Sequence, residues 1–185
     1  MSLAIGTFFG SLMGPVLLSA FPLALIAAAL TDLQRFIIPN WTSLLLILGF
    51  GVAFTAGAVN GALGVGDLAT HLGVGLAGFA IGFVLWACGL WGGGDGKLLA
   101  AAALWFDPSA VLMMLLWVAV FGGLTAIACF MLVAFKEVLY PLPVVGRLPF
   151  EKYSRTVPYG VAIAAGALMA LPDSVMFSAV TIGVV

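Results

Sequence analysis

Two acidic side chains stand at the edges of long apolar runs. Asp32 lies in Thr31-Asp32-Leu33-Gln34-Arg35-Phe36-Ile37-Ile38-Pro39-Asn40, and Asp95 in Trp91-Gly92-Gly93-Gly94-Asp95-Gly96-Lys97-Leu98. An ionisable group at membrane depth is costly enough that a functional reading comes first. Two carboxyls brought into one low-dielectric site cannot both ionise cheaply, so they share a proton and titrate as a pair. The ionised member can deprotonate a water that attacks a carbonyl, while the protonated member donates to the developing oxyanion. That chemistry needs no covalent intermediate, no metal and no cofactor. The plainer alternatives are an ion pair of Asp32 with Arg35 at the headgroups and a helix cap for Asp95. Neither is sufficient. An acid near a helix C-terminus is opposed by the helix dipole, as is a cation such as Lys97 in a first helical turn.

The elements that would position these groups follow from composition. With 64% apolar and 7% charged residues over 185 positions, and a mean hydropathy of +1.30, the chain has too little polar surface to cover a soluble globule. An all-α polytopic membrane protein is expected, read as one membrane-embedded domain over residues 1–185. Apolar runs place helices at about 11–31, 41–59, 68–90, 96–106, 109–135 and 157–171, giving about six crossings. Residues 1–10 either extend the first helix or lie at the interface, and Pro15 and Pro22 are candidate kinks. Asn40 is placed to cap the second helix. The fourth segment reaches only about half of a roughly 30 Å core.

If all six segments cross, Arg35, Lys97 and the run Lys136, Arg147, Lys152 and Arg155 share one side. These are all six basic residues of the chain. The opposite loops carry Asp67, His71, Asp107 and Asp173, so the basic side is predicted to be cytoplasmic and the N-terminus outside. Both Asp32 and Asp95 then fall on the cytoplasmic side. No Lys or Arg precedes Arg35, so the first apolar segment reads as a retained span. The stretch 136–156, with Pro141, Pro143 and Pro149, reads as a cytoplasmic loop, and Pro172-Asp173 as an end or interruption of the last helix.

Gly64-Val65-Gly66-Asp67 repeats the Gly-x-Gly-Asp lettering of Gly92 to Asp95, but it sits in a lysine-free loop and is read as a turn and cap for the third helix. Asp107-Pro108 reads as an outer turn and His71 as a headgroup-level residue. Cys88 and Cys129 lie singly in apolar runs and are read as buried small hydrophobes, which argues against a zinc site or disulfides. A net charge of -1 argues against a nucleic-acid partner.

At these residues the chain resembles the type IV prepilin leader peptidases, most closely the small form serving Flp/Tad-type (Cpa) pilus systems. Asp32 to Asn40 looks like the family's first aspartate segment, Gly92 to Leu98 like its Gly-x-Gly-Asp-x-Lys-Leu segment, and Val157-Pro158-Tyr159-Gly160-Val161-Ala162 like its late Pro-Tyr-Gly helix opening. The resemblance implies an intramembrane aspartic endopeptidase of the bacterial inner membrane that removes the leader of a prepilin or pseudopilin at the cytoplasmic face. Asp32 and Asp95 match its two catalytic aspartates. Arg35, Gly92, Gly94, Lys97, Pro158, Tyr159 and Gly160 are supporting candidates. Arg35 and Lys97 are to position the aspartates or bind lipid phosphates, and Pro158-Tyr159-Gly160 reads first as a helix start. Gly96 departs from the branched or small apolar residue common before the lysine, which bears on the rigidity of the loop. The cysteine-rich cytoplasmic domain linked to pilin N-methylation has no counterpart here, so no methyltransferase activity is expected. A small transporter with relay carboxylates, or a non-catalytic pilus or secretion subunit, is the rival reading. A presenilin-like protease is disfavoured, because the Tyr-Asp pair expected there does not occur.

Overall fold

The computed structural model describes residues 2–139, 150–154 and 156–182. Arg147, Arg155 and the three loop prolines at 141, 143 and 149 lie outside those residues. Every described element is helical: α1 (Ser2–Arg35), α2 (Asn40–Val59), α3 (Val65–Ala87), α4 (Gly93–Ala103), α5 (Pro108–Ala134), the short α6 (Lys136–Leu139) and α7 (Phe150–Tyr153), α8 (Tyr159–Ala170), a 3-10 turn (Leu171–Asp173) and α9 (Val175–Ile182). Three of them, α2, α3 and α5, are long and apolar enough to cross a bilayer. Leu48, Leu76, Phe83, Leu116 and Phe130 on these helices are exposed, as expected of a membrane protein whose solvent is hydrocarbon.

The boundaries differ from expectation in ways that matter for the site. α1 takes in residues 2–10 and continues past Asp32 to Arg35, without a break at Pro15 or Pro22. Asp32 therefore sits in its last turn. α4 begins at Gly93, three residues before the expected start at 96, so Asp95 lies inside its first turn rather than ahead of it and Lys97 falls in the second. Asn40 does not cap α2; Pro39 occupies that position without a side-chain bond, and the Asn40 amide oxygen accepts from Lys97 Nζ at 3.4 Å. Pro172 falls in the 3-10 turn after α8, where a missing N–H and a fixed φ interrupt the α-helical ladder before α9 resumes.

With 11 residues, α4 spans about 16 Å. It is the central element, packed against α2, α3 and α8, with Leu98, Leu99, Ala101, Ala102 and Ala103 all buried. Beneath its C-terminal end, Trp105 and Phe106 pack around Phe21 of α1 at ring separations of 4.8 and 6.2 Å. The Trp105 indole N–H donates to the Leu46 carbonyl at 3.0 Å, satisfying a polar tip that hydrocarbon would otherwise leave unpaired. Small residues let the helices close on one another. A Cβ at Gly166 of α8 would stand 2.6 Å from the Val118 backbone of α5, and one at Gly82 of α3 would stand 2.5 Å from Gly96 Cα of α4.

His71 is enclosed by the protein. It is 2% exposed, its Nδ1 pairs with the Leu104 carbonyl at 2.9 Å, and its ring lies against Phe50 and Phe54. The apolar α2–α3 wall encloses it because the carbonyl at the end of α4 supplies a partner. Cys129 is buried as expected, whereas Cys88 is exposed just past the end of α3. Asp107 is the N-cap of α5, accepting from the Ser109 and Ala110 amides, with Pro108 in the first turn. Its other oxygen accepts from the Val175 amide at 3.3 Å, which ties the start of α9 to the α4–α5 corner.

Candidate active site

Asp32 and Asp95 are both withdrawn from the surface, with exposures of 5% and 8%. α1 brings one from its last turn and α4 the other from its first. They are close enough for the charge on one to act on the other. Ile38 joins the two sides: a Cβ at Gly94 would meet it at 3.1 Å, and one at Gly160 would meet its Cδ1 at 2.9 Å. The site is thus bounded by the end of α1, the start of α4 and the start of α8.

Each carboxylate has one oxygen tethered by a backbone amide. Gly92 N–H donates to Asp95 Oδ2 at 2.9 Å, the reach-back of an acid in the first turn of its own helix. Gly160 N–H donates to Asp32 Oδ2 at 2.7 Å across 128 residues of sequence. This second bond answers the dipole objection to Asp32. The unfavourable C-terminal end of α1 is offset by the N-terminal end of α8, whose unsatisfied amides favour an acceptor.

Pro158 is fully buried and has no N–H, so the first free amides of α8 belong to Tyr159 and Gly160. The Tyr159 ring packs on Trp91 at 5.3 Å, linking the start of α8 to the turn that precedes α4. On sequence, Pro158-Tyr159-Gly160 reads first as a helix start. The structure adds that this start is aimed at Asp32, a role signalled only by the need of free amides in an apolar setting to find an acceptor.

Gly160 has no room for a side chain, since a Cβ would lie 2.8 Å from Asp32 Oδ2 and 3.0 Å from Asp32 Cβ. Gly160→Ala should displace the carboxyl and lower turnover by about tenfold to 100-fold while the protein still inserts, because misplacement by about 1 Å can cost on the order of 100-fold. Wild-type turnover in purified Gly160→Ala would show that the Asp32 contact has no bearing on activity.

The two basic candidates are not part of the carboxylate cluster. Arg35 and Lys97 are exposed, and the ion pair found among the described residues is Lys136 to Glu137 at 3.8 Å, far along the chain in α6. Lys97 borders two apolar grooves, one of about 570 Å³ lined by Trp41, Ile47, Phe79 and Ala101, the other of about 290 Å³ lined by Phe83, Trp86, Gly93 and Gly96. Gly92 and Gly94 do belong to the site, the first as donor to Asp95 and the second by admitting Ile38. The described residues contain no cluster of three His, Cys, Asp or Glu side chains able to hold a metal.

Asp67 has the same local geometry as Asp95, accepting from the Gly64 amide at 2.7 Å, but it is exposed. It caps α3 as expected.

No curated protein and no solved structure matches this chain. Residues 19–127 match the model of the type IV leader peptidase family. That span contains both aspartates and their glycine turn, and stops short of α7 and α8. The match takes in more than half of the sequence, and the chain belongs to the type IV leader peptidase family.

Proposed function

We propose that this peptidase is an intramembrane aspartic endopeptidase that removes the leader of a Flp/Tad-type prepilin, with Asp32 and Asp95 as its catalytic pair. The observation that carries the reading is the convergence of two buried carboxylates from distant elements, each with one oxygen held by a backbone amide. In the reaction one carboxylate takes a proton from water, the hydroxide adds to the scissile carbonyl, and the protonated partner gives its proton to the oxygen. Collapse of the tetrahedral intermediate then breaks the C–N bond as a proton passes to the leaving amine. Both backbone tethers keep the carboxyls in register without cost at the moment of reaction.

The charge asymmetry of the loops supports a multi-pass arrangement of about six crossings in a bacterial inner membrane, with the N-terminus outside and the carboxylate pair at the cytoplasmic side. Arg35 and Lys97, both exposed on that side, are placed to meet lipid phosphates. The reading includes peptidase activity without pilin methylation.

The test is cleavage of a Flp-type prepilin by the purified protein in lipid nanodiscs, followed by gel shift and by mass spectrometry of the new N-terminus. A single cut releasing the basic leader is expected, unchanged by a metal chelator or a serine-protease inhibitor, with no methyl group added when S-adenosylmethionine is supplied. An intact prepilin after prolonged incubation with folded protein would overturn the proposal.

A further inference from the structure

We propose that Tyr153 is a positioning residue, a latch on the cytoplasmic end of α1 that holds the Asp32 carboxyl against the Gly160 amide. The proposal rests on the peptidase reading of Asp32 and assigns to that site a residue far outside its sequence motifs.

The last turn of a helix leaves carbonyls without intrahelical donors. At the end of α1 one of these, Leu33 C=O, accepts from the Tyr153 hydroxyl at 2.7 Å. The one before it, Asp32 C=O, accepts from the Phe36 amide at 2.8 Å. Phe36 closes the helix with φ +56°, the only positive φ at a non-glycine residue among those described. A bulky side chain in that region is held there only when its surroundings over-determine it. Here the Phe36 ring meets the Tyr153 ring edge-on at 4.9 Å, and the Lys152 ammonium lies 5.9 Å from the Phe36 ring centroid.

The four-residue α7 therefore grips α1 twice, by a hydrogen bond and by a ring contact, and it is braced from behind against α5. Tyr153 is itself 5% exposed, so it is a packed part of this corner. Both of its contacts lie just past Asp32 in sequence, one and four residues on. The tolerance at Asp32 is small, because the space beside its Oδ2 is filled by Gly160 and Ile38. Rotation or fraying of the last turn of α1 would break the Gly160 bond and move the carboxyl relative to Asp95.

The latch predicts a particular kinetic pattern. Tyr153→Phe removes only the hydroxyl and should lower kcat about tenfold with KM within about twofold of wild type, and Tyr153→Leu, which also removes the ring contact, about 100-fold. If Tyr153 acts by holding Phe36 in its left-handed conformation, Phe36→Gly should restore at least about tenfold of the activity lost in Tyr153→Leu, since glycine adopts that conformation without a brace. Hydrogen exchange in nanodiscs supplies a readout independent of cleavage: protection of residues 33–36 and of the Gly160 amide should fall in both Tyr153 variants.

Wild-type kcat in Tyr153→Leu, or lost activity with unchanged protection at those amides, would overturn the latch. Faster exchange in the Tyr153 variants of a protein that cleaves no prepilin would instead sink the peptidase reading and leave the latch on Asp32 standing.

Discussion

Asp32→Asn and Asp95→Asn are each expected to lower prepilin cleavage by about 1000-fold or more, while the protein still inserts and folds. Asparagine keeps the size and the acceptor oxygen of the side chain, so the bonds from Gly160 and Gly92 can persist, but it can neither take a proton from water nor give one to the oxyanion. The double variant should be little worse than either single one, because two groups that act on one water and one carbonyl fail as a unit. Asp67→Asn is the matched control. It alters the same Gly-x-Gly-Asp lettering and the same local cap, at an exposed position, and should leave cleavage within about twofold of wild type, since surface changes are small in effect. Single-turnover cleavage in nanodiscs, with thermal unfolding as the check on folding, measures all four proteins. Substantial cleavage by Asp95→Asn would remove it from the chemistry.

Gly82→Ala should be among the most damaging changes outside the carboxylates themselves. The added Cβ would stand 2.5 Å from the Cα of Gly96 and 3.1 Å from its carbonyl oxygen. The obstacle is backbone, which cannot swing aside as a side chain can, so α3 and α4 must separate. Forced overpacking of this kind typically costs about 1–3 kcal/mol. The more telling effect is on rate, since Gly96 adjoins Asp95 and a shift of α4 by about 1 Å should lower kcat on the order of 100-fold. Gly73→Ala, on the same helix with open space around its Cβ position, should change neither stability nor cleavage. A Gly82→Ala protein with wild-type kcat and wild-type thermal stability would show that the α3–α4 contact is looser than described. The same contact corrects the expectation attached to Gly96. Its missing side chain does not loosen a loop; Gly96 is a buried helical residue that lets two backbones meet.

Much of this protein was determined by the sequence alone. Apolar runs of helical length, interrupted by glycine, proline and a few charges, require helices, because hydrocarbon offers no other partner for backbone N–H and C=O groups. The segments around α2, α3 and α5 were legible within a few residues for that reason. Asp32 and Asp95 stood out because acids at the edge of apolar runs are too costly to be incidental. The ends of helices were less legible. Asp95 lies within a helix whose start the three glycines set later in the sequence reading, and Asn40 meets Lys97 rather than capping its own helix, because packing against neighbouring helices overrides local preference.

Tertiary structure decided which of the two motifs is enclosed. Gly64 to Asp67 and Gly92 to Asp95 form the same local cap, and nothing within either segment separates them beyond the neighbouring lysine. What separates them is enclosure: α4 is packed among α2, α3 and α8, with Ile38 joining its start to the start of α8, while the start of α3 is left open. The donor to Asp32 and the brace on its helix come from residues 160 and 153, separations at which hydropathy and spacing carry no information. A carboxylate's local sequence sets what it can bond to nearby, but its exclusion from solvent and its approach to a second carboxylate depend on which helices pack together.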